Sequence, residues 1–415
     1  MATVLVCIAL VVLVGAVAWR PHGMGPTIGA LAAVAIALVG GAAQLGDILA
    51  AFEAQWRAYL TLLSIMTMTS AAERMGLLVR VASWIEPRTR GPVKHAFRLT
   101  FALSALVATV LSNDAAILLM TPTVIALLRT VYPKRHPRFV APFVIAVFAS
   151  AGVAPLVISN PMNLIFADHV GIGFNTYSLT MIPIAVAGWI VAYAVLAWMF
   201  RDVLADESPA LGGFPPIPRG MSRGAWIVVG TLLAELALYP LMSYLGVPLW
   251  PVALAGGMAC ALASGDRPQV LARGITWPIF PFLMAVFVLA IALGRIGVVD
   301  WLQHLYATSS APLATIGATS ALGSAVLNNH PMSVLNALAL DRGTGDHAYA
   351  FAALIGGDLG PRLLPIGSLA SLLWYDLLRK HDVTISVGSF VRIGTLLTIP
   401  TLTVSLGILW IMTHM

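Results

Sequence analysis

Four polar breaks interrupt the apolar runs of this sequence and hold its candidate chemistry. The first is residues 111–116 (LSNDAA), which place Asn113 and Asp114 between the apolar residues 101–111 and 117–128. An ionisable Asp inside a membrane segment is costly unless it is buried in protein or lines a wet cavity, so such residues are usually functional. Ser, Asn and Asp also compete for backbone hydrogen bonds, which favours a helix end. The pattern predicts the tip of a re-entrant hairpin.

The same pattern returns in the second half of the chain. Residues 110–114 (VLSND) align with residues 326–330 (VLNNH), and each tip is followed by a Gly/Pro-interrupted segment, at 154–163 and at 357–368. Paired, interrupted hydrophobic segments at corresponding places in two halves are typical of the binding sites of secondary transporters. The repeat therefore predicts a carrier whose site lies where the four breaks meet.

The elements that must position these breaks are membrane helices. Hydrophobic residues make up 59% of the chain and charged residues 10%, against about 25% charged residues in an average soluble domain. Apolar runs long enough to span a bilayer recur along the whole length, and the longest polar interruption is residues 201–223. The composition predicts a polytopic membrane protein, surrounded by lipid, with no soluble catalytic domain.

Several other classes of function are excluded by simple counts. The net charge of +6 is explained by Lys and Arg in cytoplasmic loops, so no nucleic-acid partner is expected. Cys7 and Cys260 lie far apart in apolar runs, which supports neither a disulfide framework nor a zinc site. The chain has no P-loop motif for ATP. We expect no cofactor and no metal site, and we interpret residues 2–18, which lack a basic n-region, as a retained span.

Loop charges predict the topology. The tract 80–94 is basic, whereas the loop 168–177 contains no Lys or Arg, which places the first loop in the cytoplasm and the second outside. We predict an all-α polytopic membrane protein with two inverted-topology repeats, 1–200 and 224–415, joined by a cytoplasmic linker, 201–223. Each repeat has about five spans with a re-entrant hairpin and a broken helix, and both termini lie outside.

The neutral polar side chains around the breaks suit a small, uncharged, hydroxyl-rich solute that must be hydrogen-bonded as its water is removed. The alternative is that they satisfy the backbone groups freed where helices break. These candidate substrate-binding residues are Asn113, Asn160, Asn163, Asn328, Asn329 and Ser368.

Four ionisable residues at the breaks are candidates for proton coupling. Asp114 is the first, with helix capping as its alternative role. Asp358 and Arg362 have the spacing of an i,i+4 pair, so a purely structural ion pair is an equal alternative. His330 aligns with Asp114 and titrates near neutrality, although a lone His is more often structural. Glu235 is a further buried candidate that ranks below Asp114 because no break surrounds it.

The motifs at these breaks resemble those of the bacterial ArsB-type arsenite efflux permeases of the ion transporter superfamily. The specific match is residues 357–362 (GDLGPR) with 365–374 (PIGSLASLLW), and the tips at 111–114 and 327–331 agree with it. The resemblance covers nearly the whole chain. It implies an inner-membrane antiporter that exports arsenite and antimonite as neutral hydroxides, driven by protons, with optional pairing to a soluble ArsA-type ATPase.

Other functions remain open on the sequence alone. A sodium/proton or organic-anion carrier of the same superfamily would depend on sodium, and a passive metalloid channel would be indifferent to the proton gradient. An intramembrane enzyme is remote, because the sequence shows neither metal-ligand spacing nor a nucleophile with a base.

Overall fold

The computed structural model describes residues 2–19, 26–77, 79–80, 83, 92–132, 139–205, 220–265, 267–341 and 347–414. Within these residues every regular element is helical. The helices of the first half are α1 (Ala2–Trp19), α2 (Pro26–Val39), α3 (Leu45–Arg74), α4 (Val93–Val110), α5 (Asn113–Ala115, the π-helical turn Ala116–Met120 and Thr121–Val131), α6 (Val140–Ser150), α7 (Pro161–Val170) and α8 (Phe174–Met199).

In the second half, the described residues form ten α-helices of 8 to 28 residues. They are α9 (Arg223–Tyr244), α10 (Leu249–Ala263), α11 (Arg267–Gly274), α12 (Ile279–Arg295), α13 (Val298–Thr308), α14 (Pro312–Leu327), α15 (Asn329–Asp341), α16 (His347–Leu359), α17 (Leu369–Lys380) and α18 (Val387–His414). Part of the predicted linker, 206–219, lies outside the described residues, as do the basic stretches 84–91 and 133–138.

Both predicted hairpin tips are breaks between helices. After α4, Ser112 is fully extended and its Oγ accepts a hydrogen bond from the backbone N–H of Ala115 at 3.0 Å, which is the contact of a helix N-cap. After α14, Asn328 has φ +86° and ψ 148°, which is outside the left-handed helical region and close to a conformation that glycine almost alone adopts. The next helix starts at once in each case.

The broken helices are present, but their bounds differ from the prediction. The first break covers residues 151–160, because Pro161 occupies the first position of α7, where its missing N–H costs nothing. Asn163 therefore lies inside a helix. In the second half α16 continues through Asp358 to Leu359, and the regular helix stops only before Pro361, which cannot donate the next helical hydrogen bond.

The helices of the two halves pack in matching pairs. The packing of α1 on α2 in the first half corresponds to the packing of α9 on α10 in the second. Between the halves, α3 packs on α10 and, correspondingly, α12 packs on α2. α8 packs on α18. The hairpins follow the same rule, since α4 packs on α6 as α14 packs on α16, and α17 contacts α5 as α7 contacts α15. The broken helix of each half therefore lies against the hairpin of the other half.

Polar side chains at the ends of α3 and α12 join the two halves. At the end of α12, Arg295 donates two hydrogen bonds to the carboxylate of Asp47, at 2.5 and 2.6 Å, and one to the carbonyl oxygen of Ala42. At the end of α3, Arg74 donates to Gln269 Oε1 at 2.9 Å. The two halves are thus held together at both ends of this helix pair.

In the part of the chain that the structure describes, four helices, α4, α8, α9 and α18, are each long and apolar enough to cross a bilayer, and α12 with α13 passes the same test as a pair bent by 73°. The predicted re-entrant limb α4 has the length of a full span by itself. The chain is an all-helical, multi-pass membrane protein.

Candidate functional site

The carboxylate of Asp358 binds the first half of the chain. It is 5% exposed and accepts hydrogen bonds from the backbone N–H of Ala154 at 2.8 Å, Asn160 Nδ2 at 2.7 Å and Asn163 Nδ2 at 2.9 Å. The structure therefore brings together three of the predicted site residues, one from the second half and two from the first.

Tyr177 completes this cluster, and the sequence reasoning missed it. Its hydroxyl accepts a hydrogen bond from Asn163 Nδ2 at 2.6 Å and donates one to the carbonyl oxygen of Ala154 at 3.1 Å. Tyr177 lies in α8, with no break or motif around it, so no local signal marked it. The four side chains of Asp358, Asn160, Asn163 and Tyr177 form what we call the central cluster.

The two ends of the first broken helix carry opposite partial charges, and each faces a matching buried charge. The N-terminus of α7 and the adjoining backbone present N–H groups, which favour the carboxylate of Asp358. The C-terminus of α6 presents unpaired carbonyl groups, and Arg362 Nη2 donates a hydrogen bond to one of them, the carbonyl oxygen of Ala149. The broken helix thus stabilises both charges.

The predicted ion pair between Asp358 and Arg362 is not formed. Among the described residues, no salt bridge joins them, because the helix unwinds between them and their side chains reach opposite ends of the first break. Arg362 is buried, with Nε and Nη1 lacking hydrogen-bond partners among the described atoms. A Cβ atom at Gly152 would overlap its guanidinium, so the glycine makes room for the charge.

Each hairpin tip is tethered to the break of its own half by an Asn. Asn113 Nδ2 donates to the carbonyl oxygen of Gly152 at 3.1 Å, and Asn328 Nδ2 donates to that of Ile366 at 3.1 Å. Asn160 and Ser368 occupy matching positions as N-caps of α7 and α17. In this conformation these side chains satisfy backbone groups freed by the breaks, whereas the buried Asn329 leaves its Oδ1 without a partner among the described residues.

Among the described residues, Asp114 shares no hydrogen bond with the central cluster, and it lies on the wall of a large cavity that we call the first-hairpin cavity. Its volume is about 420 Å³, within the range of small-molecule sites. The side chain of Asp114 is half-buried, and among the described residues it has no hydrogen-bond partner. The cavity is lined by α3, α5, the first break, α17 and the segment before α12. Its other polar lining residues are Thr27, Thr69, Ser70, Glu73, Ser112 and Thr276.

Glu235 is buried in α9, beside the same hairpin tip. It accepts a hydrogen bond from the hydroxyl of Tyr239, and a Cβ atom at Gly256 of α10 would overlap its carboxylate. It shares a small cavity with Val110, Leu111 and Ile158. The sequence placed Glu235 second to Asp114, and the structure puts it behind the tip, outside the first-hairpin cavity.

His330 is separated from the other candidates for proton coupling. Its ring lies edge-on to Phe282 with centroids 6.0 Å apart, and it lines a second, much smaller cavity with residues of α3, α7 and α12. The structure thus places Asp358, Asn160 and Asn163 in the central cluster, Asp114 at the large cavity and His330 at the small one.

Comparisons with known proteins agree with this architecture. The chain is 15% identical to the Alcanivorax borkumensis YdaH transporter, with a TM-score of 0.58 over 88% of each chain. It is 13% identical to Neisseria gonorrhoeae MtrF, of a class of antimetabolite efflux pumps, with a TM-score of 0.56 over 99% of this chain and 94% of that one. Identities this low show a shared fold alone.

Sequence relatives cover nearly the full length. An arsenical pump membrane protein of Escherichia coli is 29% identical over an alignment of 411 residues, which covers 95% of each chain. A putative arsenical pump membrane protein of Bacillus subtilis (strain 168) is 27% identical over an alignment of 415 residues, which covers 92% of this chain and 93% of the relative. The profile of the family described as "ArsB: Arsenical pump membrane protein" matches residues 3–413. The chain is a membrane transporter that belongs to the ArsB family of arsenical pump membrane proteins.

Proposed function

We propose that this chain exports arsenite and antimonite, as neutral trihydroxides, across the bacterial inner membrane in exchange for protons. It would do so by alternating access between two inverted repeats, 1–200 and 224–415, with the linker 201–223 in the cytoplasm and both termini outside. The family membership supports the cargo, and the matching helix pairs of the two halves support the repeat.

The observation that carries the proposal is the position of Asp114. It is an ionisable group without a hydrogen-bond partner among the described residues, on the wall of a cavity large enough for a small solute. Burying a carboxylate away from water costs much free energy unless the group is protonated or accepts hydrogen bonds. The hydroxyl groups of a trihydroxide are such donors. Asp114 would therefore carry either a proton or the cargo, which is the condition for exchange.

The neutral polar residues would then act in two ways. Asn329 has an unpartnered oxygen that could accept a hydroxyl of the cargo. The other candidates, which are Asn113, Asn160, Asn163, Asn328 and Ser368, already have hydrogen bonds and would have to exchange them for bonds to the cargo. Asp358 and Arg362 hold the first break in place, and His330 stays a second candidate for proton coupling.

The test is arsenite accumulation in everted membrane vesicles with and without a proton gradient, for the wild type and Asp114→Asn. We expect gradient-driven uptake in the wild type and uptake at the level of empty vesicles in Asp114→Asn, because the amide cannot bind the exchanged proton. Asp202→Asn is the matched control, since Asp202 is fully exposed on the linker side of α8, and it should transport normally.

Other outcomes point to other functions. Uptake that survives both the collapsed gradient and Asp114→Asn would favour a passive channel. Uptake that requires sodium would favour a sodium-coupled or anion carrier of the same superfamily. An ArsA-type ATPase partner would be supported by ATP-dependent uptake in vesicles without a proton gradient, only after the purified ATPase is added.

A further inference from the structure

A small cavity lies between α3, α7, α12 and α15, and we call it the second-hairpin cavity. Its volume is about 10 Å³, and a cavity needs about 10–15 Å³ to hold one water. It meets α3 at Gln55, whereas the first-hairpin cavity extends along the other end of α3 to Glu73. These two residues are about 27 Å apart along the helix axis.

The two cavities occupy equivalent places in the two halves. The first is lined by the limb after the first tip (α5), the segment after the second break (α17) and the start of α12. The second is lined by the limb after the second tip (α15), the segment after the first break (α7) and the first part of α3. A large cavity in one half thus corresponds to a very small one in the other.

Gln55 contributes an unpartnered donor to the second-hairpin cavity. Its side chain is 3% exposed, and its Oε1 accepts a hydrogen bond from the hydroxyl of Tyr59. Its Nε2 has no partner among the described residues. Burying an amide donor without an acceptor costs as much free energy as a lost hydrogen bond. The Gln55 amide is therefore a free hydrogen-bond donor at the wall of this cavity.

His330 contributes an unpartnered acceptor. It is 6% exposed, and its Nδ1 lies 3.4 Å from Asn328 Oδ1. An amide oxygen only accepts hydrogen bonds, so this contact favours the neutral tautomer with its proton on Nδ1, which leaves a lone pair on Nε2. That Nε2 has no partner among the described atoms. Ser333 follows one turn later on the same helix face and lines the same cavity.

We propose that Gln55, His330 and Ser333 form a second binding site for the cargo, on the side of the membrane opposite to the first-hairpin cavity. The amide donor, the imidazole acceptor and the hydroxyl, which does both, complement a neutral trihydroxide, whose oxygens accept and whose hydroxyls donate. The identity of the cargo rests on the function proposed above. The site opens when α15 and α7 move away from α3, and the first-hairpin cavity closes in the same transition.

The first test asks which face of the membrane wets each cavity. Ser333→Cys and Ala115→Cys, in a background where Cys7 and Cys260 are replaced by Ser, are treated with an impermeant maleimide in right-side-out and everted vesicles. We expect Ala115→Cys to react from one face at rest, and Ser333→Cys to react only from the other face and only during arsenite transport.

A second reporter keeps this test decisive if Ser333→Cys does not fold. Val334→Cys lines the same cavity with an apolar side chain and should show the same pattern. Labelling of the position 333 or 334 reporter from the same face as Ala115→Cys would overturn the proposal. So would no labelling while transport proceeds.

The second test distinguishes slower release of the cargo from weaker binding of the cargo. Gln55→Leu should slow arsenite transport about tenfold, because one hydrogen bond to the cargo is lost, while equilibrium binding of arsenite to the solubilised protein is unchanged. Thr61→Val is the control, since Thr61 is buried in the same helix and its hydroxyl donates only to the carbonyl oxygen of Arg57. Absence of arsenite uptake by the wild type contradicts the proposed function. Normal transport by Gln55→Leu contradicts only the second site.

Discussion

At the scale of single residues, the buried charges of this transporter are stabilised by backbone and amide groups. Asp358 accepts three hydrogen bonds from the first half, and Arg362 donates to the end of α6. Hydrogen bonds to charged groups contribute about 1.5–3 kcal/mol each, roughly twice the value for neutral pairs. These contacts link the second half to the broken helix of the first, and they position the first tip through Asn113 and Gly152.

Asp358→Asn should lower the free energy of unfolding by about 2–4 kcal/mol, because one donor loses its acceptor and the other bonds lose their charge. The measurement is the melting temperature in detergent. Asp376→Asn, which changes a partly exposed residue beside Arg379, should stay within about 0.5 kcal/mol of the wild type. Equal stability of the two variants would instead indicate that the Asp358 carboxyl is already protonated in the folded protein.

Gly152→Ala should displace Arg362, because the added Cβ would overlap the guanidinium. Overpacking of this kind costs about 1–3 kcal/mol, and we expect a lower melting temperature together with weaker transport. Gly230→Ala is the control: it lies in a helix with nothing within 4 Å of the added Cβ, and the better helix propensity of Ala should leave its stability equal or slightly higher. Identical behaviour of the two variants would contradict the placement of Arg362.

At the scale of elements, close approach of α14 and α16 fixes the second break. Gly356 and Gly360 are four residues apart, the small-xxx-small spacing of tightly packed membrane helices. Added Cβ atoms would overlap the carbonyl oxygens of Gly317 and Ala321. Backbone atoms cannot move aside as a side chain can, so these glycines determine how near the second hairpin lies to Asp358.

Gly356→Ala should therefore push α16 away from α14 and reduce arsenite transport more than it reduces the amount of folded protein. The readouts are vesicle uptake per unit of protein and the melting temperature. Gly407→Ala, in the open middle of α18 with nothing within 4 Å of the added Cβ, should leave both unchanged. Full transport by Gly356→Ala would show that the spacing of these two helices does not matter for function.

At the scale of the whole molecule, the two halves pack alike but are not in the same state. The first-hairpin cavity has a volume of about 420 Å³ and the second about 10 Å³, although equivalent elements line them. Packed interfaces move between discrete arrangements, so a transition that enlarges the second cavity and shrinks the first would supply the alternating access proposed above.

The proposed inverted arrangement predicts the sidedness of the chain. A periplasmic alkaline phosphatase fused after His414 should be active, because five spans in each half return the C-terminus to the side of the N-terminus. A fluorescent protein fused after Asp202 should fold and fluoresce in the cytoplasm. The reverse pattern would place the first-hairpin cavity on the outer side and would contradict export through it in the proposed direction.

The sequence by itself determined the membrane class, the helical fold, the positions of the breaks to within a few residues, and the family. Each of these follows from local chemistry: hydropathy over a span, Pro161 and Pro361 at helix boundaries, and Asn and Ser at caps. Only the tertiary structure decided the partners of Asp358, the separation of Arg362 from it, the cavity at Asp114, and the positions of Tyr177 and Gln55. The contacts of Asp358 join residues that are 195 to 204 positions apart in the sequence. Local sequence patterns show which polar groups are buried, but they do not show which of these groups meet once the two halves have packed.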